Sequence, residues 1–183
     1  MHLIGSFLTS LAAWPHMVEQ QYGRIVNTAS AGIFGLPDNL AYAAVKAGVI
    51  GMSRQMKIAG EPHNIKTNVI APAAFTRLAG DSSVAERNAE NDRPEMSTTL
   101  VAPIVAFLAH ESCPVSGEVY QGGAGRFARF FIAGTNGYVH TGSHPTIEDV
   151  AAHWDEINDE TDYYVPATLW DWAAHYMTHM QRG

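Results

Sequence analysis

Residues 23–51 read GRIVNTASAGIFGLPDNLAYAAVKAGVIG, and the order of elements inside that stretch decides the fold. Arg24 to Thr28 is a short run with Ile25 and Val26 at its centre, the pattern of a buried strand. Gly32, Gly35 and Pro37 then punctuate a loop. From Asn39 to about Gly60 the periodicity is helical, with Ala44, Ala47, Gly48 and Gly51 keeping one face small. Such a face allows close packing against another helix, including one from a second subunit. Tyr42 and Lys46 lie four residues apart, so both side chains project from one side of this helix. An ammonium beside a phenol favours the phenolate, and a phenol so placed can exchange a proton with an alcohol or carbonyl.

Working outward, Leu3, Phe7, Leu8, Leu11, Trp14 and Met17 repeat at helical spacing across residues 2–21, with Gly23 as a C-cap. Their apolar character resembles a signal peptide superficially. The stretch lacks a basic start, and Trp14-Pro15-His16 stands where a small-residue cleavage site belongs, so a structural helix is expected. Ile65 to Ala71 is the next strand, ended by Pro72. Residues 73–97 are polar and irregular, long enough for a functional lid. Leu100, Ile104, Phe107 and Leu108 outline a helix, and Gly117 to Gln121 a last strand. Strand, helix, strand, helix, strand is the rhythm of an α/β fold with a parallel sheet.

The tail has another character. Pro145 and Thr146 followed by Glu148 and Asp149 mark a capped helix start. Ile147, Val150, Ala151, Trp154 and Ile157 form one apolar stripe, and Leu169, Trp172, Ala173 and Tyr176 a second. Residues 141–183 are therefore expected to be a helical extension packed on the domain formed by residues 1–140.

Composition bounds the partners. The 183 residues are 46% hydrophobic and 16% charged, enough for one domain with a core. A formal charge of −7 gives no support for nucleic acid or an anionic membrane as partner. No apolar run approaches the roughly 20 residues that span a bilayer. The single cysteine, Cys113, excludes an intrachain disulfide and fits a reducing, cytoplasmic setting.

Several tempting motifs weigh lightly. Gly122-Gly123-Ala124-Gly125 follows a strand as a phosphate loop does, but no helix opens after it, so turn or packing glycines are expected. Arg126-Phe127-Ala128-Arg129-Phe130-Phe131 is read as extension packing. Arg126 and Arg129 suit a phosphate, although a solvent or interface role is favoured. His140 with His144, and His175 with His179, have metal-pair spacing without a third ligand nearby in sequence, so surface or contact roles are expected and no metal site is assigned. Cys113 reads as a packed thiol.

The stretch 23–51, followed by IKTNVIAPAAFTR at residues 65–77, resembles the catalytic half of the short-chain dehydrogenase/reductase family. Within it, the closest resemblance is to the (3R)-hydroxyacyl-CoA dehydrogenase domain of type-2 multifunctional enzymes. HLIGSF at residues 2–7 supports this narrower match, with His2 where most of the family has asparagine. VAPIVAFLAHES at 101–112, GGAGRFARF at 122–130 and HPTIEDVAAHWDEI at 144–157 support it too. The resemblance implies the C-terminal half of a Rossmann-like parallel sheet. It also implies reversible hydride transfer between NAD or NADP and a secondary alcohol, most plainly a 3-hydroxyacyl-CoA and its 3-oxo product. Tyr42 then matches the general acid/base, and Lys46 the lysine that holds the nicotinamide ribose. Pro72, Ala73, Ala74 and Thr76 match the segment lining the nicotinamide, with Ala73 replacing the usual glycine. An acyl-CoA or other hydrophobic alcohol or ketone is the implied substrate, and a homo-oligomer the implied assembly.

Two departures qualify the match. The family's serine lies thirteen residues before the tyrosine, where this chain has Ala29; Ser30 lies twelve before, and one residue of slip on a strand reverses a side chain. Ser30 is kept as the candidate that holds the substrate oxygen. The family's front half, with its glycine-rich loop at a helix N-terminus, has no counterpart in these 183 residues, so a truncated or misassigned start is expected. The alternative reading is a catalytically incomplete interaction or oligomerisation module. Residues that discriminate NAD from NADP belong to that front half, and the substrate chain is equally open between fatty acyl and steroid.

Overall fold

The computed structural model describes residues 2–35, 37–75 and 94–182. The chain forms two compact units, Met1–Phe130 and Phe131–Gly183. The first is built on a four-stranded sheet in the order β1 (Gly23–Thr28), β2 (Ile65–Ala73), β3 (Val119–Gly123), β4 (Arg126–Phe130). β1, β2 and β3 run parallel, and β4 returns antiparallel to β3. Helix α1 (His2–Glu19) precedes β1, α2 (Leu40–Gly60) crosses from β1 to β2, and α3 (Ala102–Ala109) leads into β3. An α/β sheet flanked by helices is therefore present as expected.

The register sorts the side chains. Val69 stands opposite Val119 and packs with Ile50 of α2 and Ala29 in one buried cluster, against which Ile33 and Phe130 rest. Ile70 and Tyr120, one residue on, face the other side of the sheet. There a Cβ on Gly122 would meet Ile104 of α3, so the missing side chain lets the helix seat closely. α1 packs on α2 through Leu3, which fills the space a Cβ on Gly48 would take. Part of the small face of α2 is thus used within the chain, while Gly51 faces open space. α1 continues through Pro15 and leaves Ile4, Phe7, Leu8 and Leu11 exposed.

Three sequence expectations are corrected. Residues 126–130 are a strand, not extension packing: Gly123 pairs with Arg126 across the two-residue turn Ala124-Gly125, whose φ values of 50° and 71° match the mirror-image turn that suits hairpin twist. The last parallel strand is displaced to Val119–Gly123. β2 does not stop at Pro72 but runs through it to Ala73. The reason is directional. Ile70 turns its carbonyl towards β1, where it accepts from the Ala29 N–H at 2.9 Å, and Val69 turns its N–H towards β3. Pro72 therefore faces the β1 side, beyond the last paired residue of β1, where no ladder needs an N–H.

The second unit has little regular structure: α4 (Ile147–Ala152), α5 (Trp154–Ile157) and α6 (Leu169–Tyr176) are short. A capping box opens α4, with Thr146 Oγ1 accepting from the Asp149 N–H and the Asp149 carboxylate accepting from the Thr146 N–H at 2.8 Å. Those bonds from Thr146, side chain first, hold the Asp149 carboxyl below the usual range; partial desolvation opposes them, and the charges of His140 and His153 assist. Tyr138 stacks on His153 and Tyr164 on His175, whose Nε2 meets Asn136 Oδ1 at 2.8 Å. The apolar stripe read on residues 147–157 is not buried: Ile147, Val150 and Trp154 are exposed.

Candidate active site

Parallel strands deliver their carboxyl ends to one rim, and in open α/β sheets that rim is where ligands bind. Thr28 ends β1 there, Ala73 ends β2 and Gly123 ends β3. Helix α2 starts beside the end of β1, so its first turns carry Tyr42 and Lys46 to the same rim. Lys46 is only 6% exposed. Its ammonium donates to the Thr28 carbonyl at 2.8 Å and lies 5.6 Å from the centroid of the Tyr42 ring. A buried ammonium requires such a partner, since an unpaired charge away from water is costly. The expected juxtaposition of phenol and ammonium on one helical face is therefore present in the fold.

Ser30 lies where the chain leaves the sheet. Ala29 is buried in the core cluster and donates its N–H to Ile70, prolonging the ladder by one residue. The following residue, still extended at φ −161°, leaves the sheet and caps the short 3-10 turn Ala31–Phe34, its Oγ accepting from the Gly32 N–H at 3.0 Å. A Cβ on Gly32 would stand 3.3 Å from both Ser30 Oγ and Tyr42 Cε1. The serine oxygen and the phenol ring thus flank one residue that has no side chain.

His2, at the start of α1, lies edge-on to the Tyr42 ring with centroids 5.7 Å apart. Pro72 and Ala73 are exposed at the rim and Ala74 is half-buried. Thr76, and most of the segment read as a lid, lie outside the described residues. The residue that sequence reasoning missed is Thr28, which acts through its backbone carbonyl; no side-chain signal could have found it. Arg129 is committed elsewhere, paired with the Glu118 carboxylate at 2.6 Å.

A cavity of about 410 Å³ lies apart from this rim group. It opens between α3 and the β3–β4 hairpin and is lined by Pro103, Ile104, Phe107, Val115 and Phe127, with Tyr120 among them. Burial pushes the Tyr120 phenol above its ordinary value; the Glu118 carboxylate adds to this and Arg129 opposes it. None of the lining residues belongs to the Tyr42 constellation, so the cavity is not the seat of the proposed chemistry.

Known proteins resemble the stretch that carries this site. The family model for short chain dehydrogenases matches residues 1–87. A short-chain type dehydrogenase/reductase of Mycobacterium tuberculosis is 38% identical over 160 residues, covering 87% of this chain and 54% of that protein. Peroxisomal multifunctional enzyme type 2 of Mus musculus is 38% identical over 172 residues, covering 92% of this chain and 23% of its own length. Among solved structures, full-length peroxisomal multifunctional enzyme type 2 from Drosophila melanogaster superposes with a TM-score of 0.83 at 30% identity, over 99% of this chain and 33% of that one. The chain thus spans about half the length of the mycobacterial relative and about a quarter of the mouse one.

Proposed function

Because this chain belongs to the short-chain dehydrogenase family, we propose that it serves the interconversion of a secondary alcohol and a ketone with NAD or NADP, and that the alcohol is a 3-hydroxyacyl-CoA. The observation that carries this reading is the placement of Tyr42 beside a buried, carbonyl-anchored Lys46 at the carboxyl rim of a parallel sheet. Relatives named as peroxisomal multifunctional enzymes and a 3-oxoacyl-[acyl-carrier-protein] reductase of Thermotoga maritima support the choice of substrate class.

The rim fits a nicotinamide nucleotide. An ammonium has three donors; the Thr28 carbonyl takes one of those on Lys46, and the others suit ribose hydroxyls. Pro72 and Ala73 are exposed at the same rim. When bound, the nicotinamide supplies the hydride acceptor or donor. In the oxidising direction Tyr42 Oη takes the proton of the substrate hydroxyl, and in the reducing direction it returns that proton to the carbonyl oxygen. Lys46 holds the ribose and keeps positive charge beside the phenol. Ser30 Oγ, which caps the turn at Gly32, holds the substrate oxygen.

Self-association is part of this proposal. The exposed row Ile4, Phe7, Leu8 and Leu11 on α1 is an apolar face of the kind that a second copy covers. The same face favours the second reading, an oligomerisation module without turnover. No described helix is long and apolar enough to cross a membrane. We place the reaction in the cytoplasm, on the strength of one buried thiol and no disulfide; the peroxisomal names of several relatives make fractionation the deciding measurement. Titration with NADH and NADPH, followed by nicotinamide fluorescence, separates enzyme from module. Saturable binding, and turnover of a 3-hydroxyacyl-CoA that falls about 100- to 10,000-fold in Tyr42→Phe, is expected. Substantial activity in Tyr42→Phe overturns the assignment, and a stable dimer that binds neither nucleotide favours the module.

A further inference from the structure

We propose that Asn27 and Ser53 form a buried clamp that positions the Tyr42–Lys46 pair, setting where α2 sits along β1. This inference rests on the reading of that pair as the acid/base couple. Asn27 faces α2 from β1, one residue before Thr28, and its Nδ2 donates to Ser53 Oγ at 3.0 Å. Ser53 Oγ in turn donates to the Val49 carbonyl at 2.8 Å. Both side chains are buried, Ser53 completely.

The geometry of the helix gives the clamp its purpose. Lys46, Val49, Ile50 and Ser53 follow one another at the spacing of a single helical face, and all four are buried. Val49 and Ile50 supply apolar contact, which is non-directional and tolerates sliding. The polar links do not. Lys46 is bound to the carbonyl of Thr28 and Ser53 to the side chain of Asn27, so two adjacent strand residues hold α2 at points about 10 Å apart along its axis. Two such anchors fix both the slide and the tilt of the helix. Loss of the deeper one lets α2 shift, and a displacement of about 1 Å at a reacting group is worth up to about 100-fold in rate. Asn27 touches neither the phenol nor the ammonium. It is a positioning residue, acting through Thr28 and α2.

The test uses the whole chain and three variants: Ser53→Ala, Ser53→Thr and the double variant Asn27→Val with Ser53→Ala. Three quantities are read: the 1H–15N signal of the Lys46 ammonium, the thermal midpoint, and kcat and KM for 3-hydroxyacyl-CoA oxidation. Ser53→Ala is expected to displace the Lys46 signal and lower kcat about 10- to 100-fold, with KM changed less than about threefold. Ser53→Thr, which keeps the hydroxyl, restores both. The double variant leaves no orphaned polar group, so its midpoint recovers, while the Lys46 signal stays displaced. Should the double variant recover the wild-type signal and kcat together with the midpoint, the pair is merely structural and the proposal fails. If Ser53→Ala does not fold, the other two variants decide. The ammonium signal needs no turnover, so an inactive wild-type chain sinks the functional assignment without touching this test.

Discussion

Replacing Gly123 by alanine reports directly on how the rim is held together. Gly123 sits at φ +142°, a conformation that side-chain-bearing residues rarely adopt, and strain of this kind costs about 1–3 kcal/mol. A Cβ there would also collide with the carbonyl oxygen of Ala73 and stand 2.7 Å from its carbonyl carbon. Those atoms are backbone, so no rotamer change relieves the overlap. The ends of β2 and β3 must separate where Ala73 pairs with Gly123, at the loss of about one ladder bond worth about 1 kcal/mol. Together the terms give about 2–4 kcal/mol, or a fall of about 4–16 °C in midpoint for a chain of this size. Two neighbouring cases calibrate it. Gly125, at φ +71° with open space around it, shows only the left-handed penalty of about 1–2 kcal/mol. Gly51, exposed on α2 with nothing near a new Cβ, gains about 0.5–1 kcal/mol as alanine. Urea and thermal unfolding of the three variants, read by circular dichroism, should rank them Gly51→Ala, Gly125→Ala, Gly123→Ala from most to least stable. A Gly123→Ala protein as stable as Gly125→Ala refutes the close approach of the two strand ends.

Two further outcomes are expected. Leu108, 2% exposed on α3, borders the cavity under that helix; Leu108→Ala should cost about 2–5 kcal/mol and Leu108→Met under about 1.5, measured by urea unfolding. Asp149 has its carboxyl lowered by the Thr146 bonds. Its contribution is therefore complete above the ordinary carboxylate value of 3.8 and is lost as pH falls through the lower folded value. Titration followed by carboxyl 13C NMR should show the Asp149 midpoint rising in Thr146→Ala, and an unchanged midpoint contradicts the capping box.

Much of this architecture was legible because short-range signals agree with one another. The run Arg24–Thr28 and the small-faced helix after it are specified by residue type and period, and Tyr42 and Lys46 share a face in any α-helix. What escaped was set by geometry without a strong residue signature. Pro72 argued for a strand end, yet the direction of its missing N–H made it harmless, and direction is known only once the partner of Ile70 is known. The fourth strand was marked only by the two-residue Ala-Gly connection before it; in RFARF the arginines and phenylalanines recur every three residues, so no period-two alternation signals a strand. Ser30 is off by one in the count, and its surroundings were unreadable in sequence because the chain leaves the sheet at that residue and its hydroxyl caps a 3-10 turn. The carbonyl of Thr28, as a backbone group, is silent in any sequence.

Pro72 carries a further consequence for the doorway between the first two strands. Because its ring nitrogen has nothing to give, that margin cannot close with the full pair of bonds a ladder residue makes, however the loop after Thr28 moves. It presents an acceptor alone, so any visitor that settles on this ledge must arrive bearing its own hydrogen. An amide-bearing guest meets that requirement, and a bare carboxylate does not.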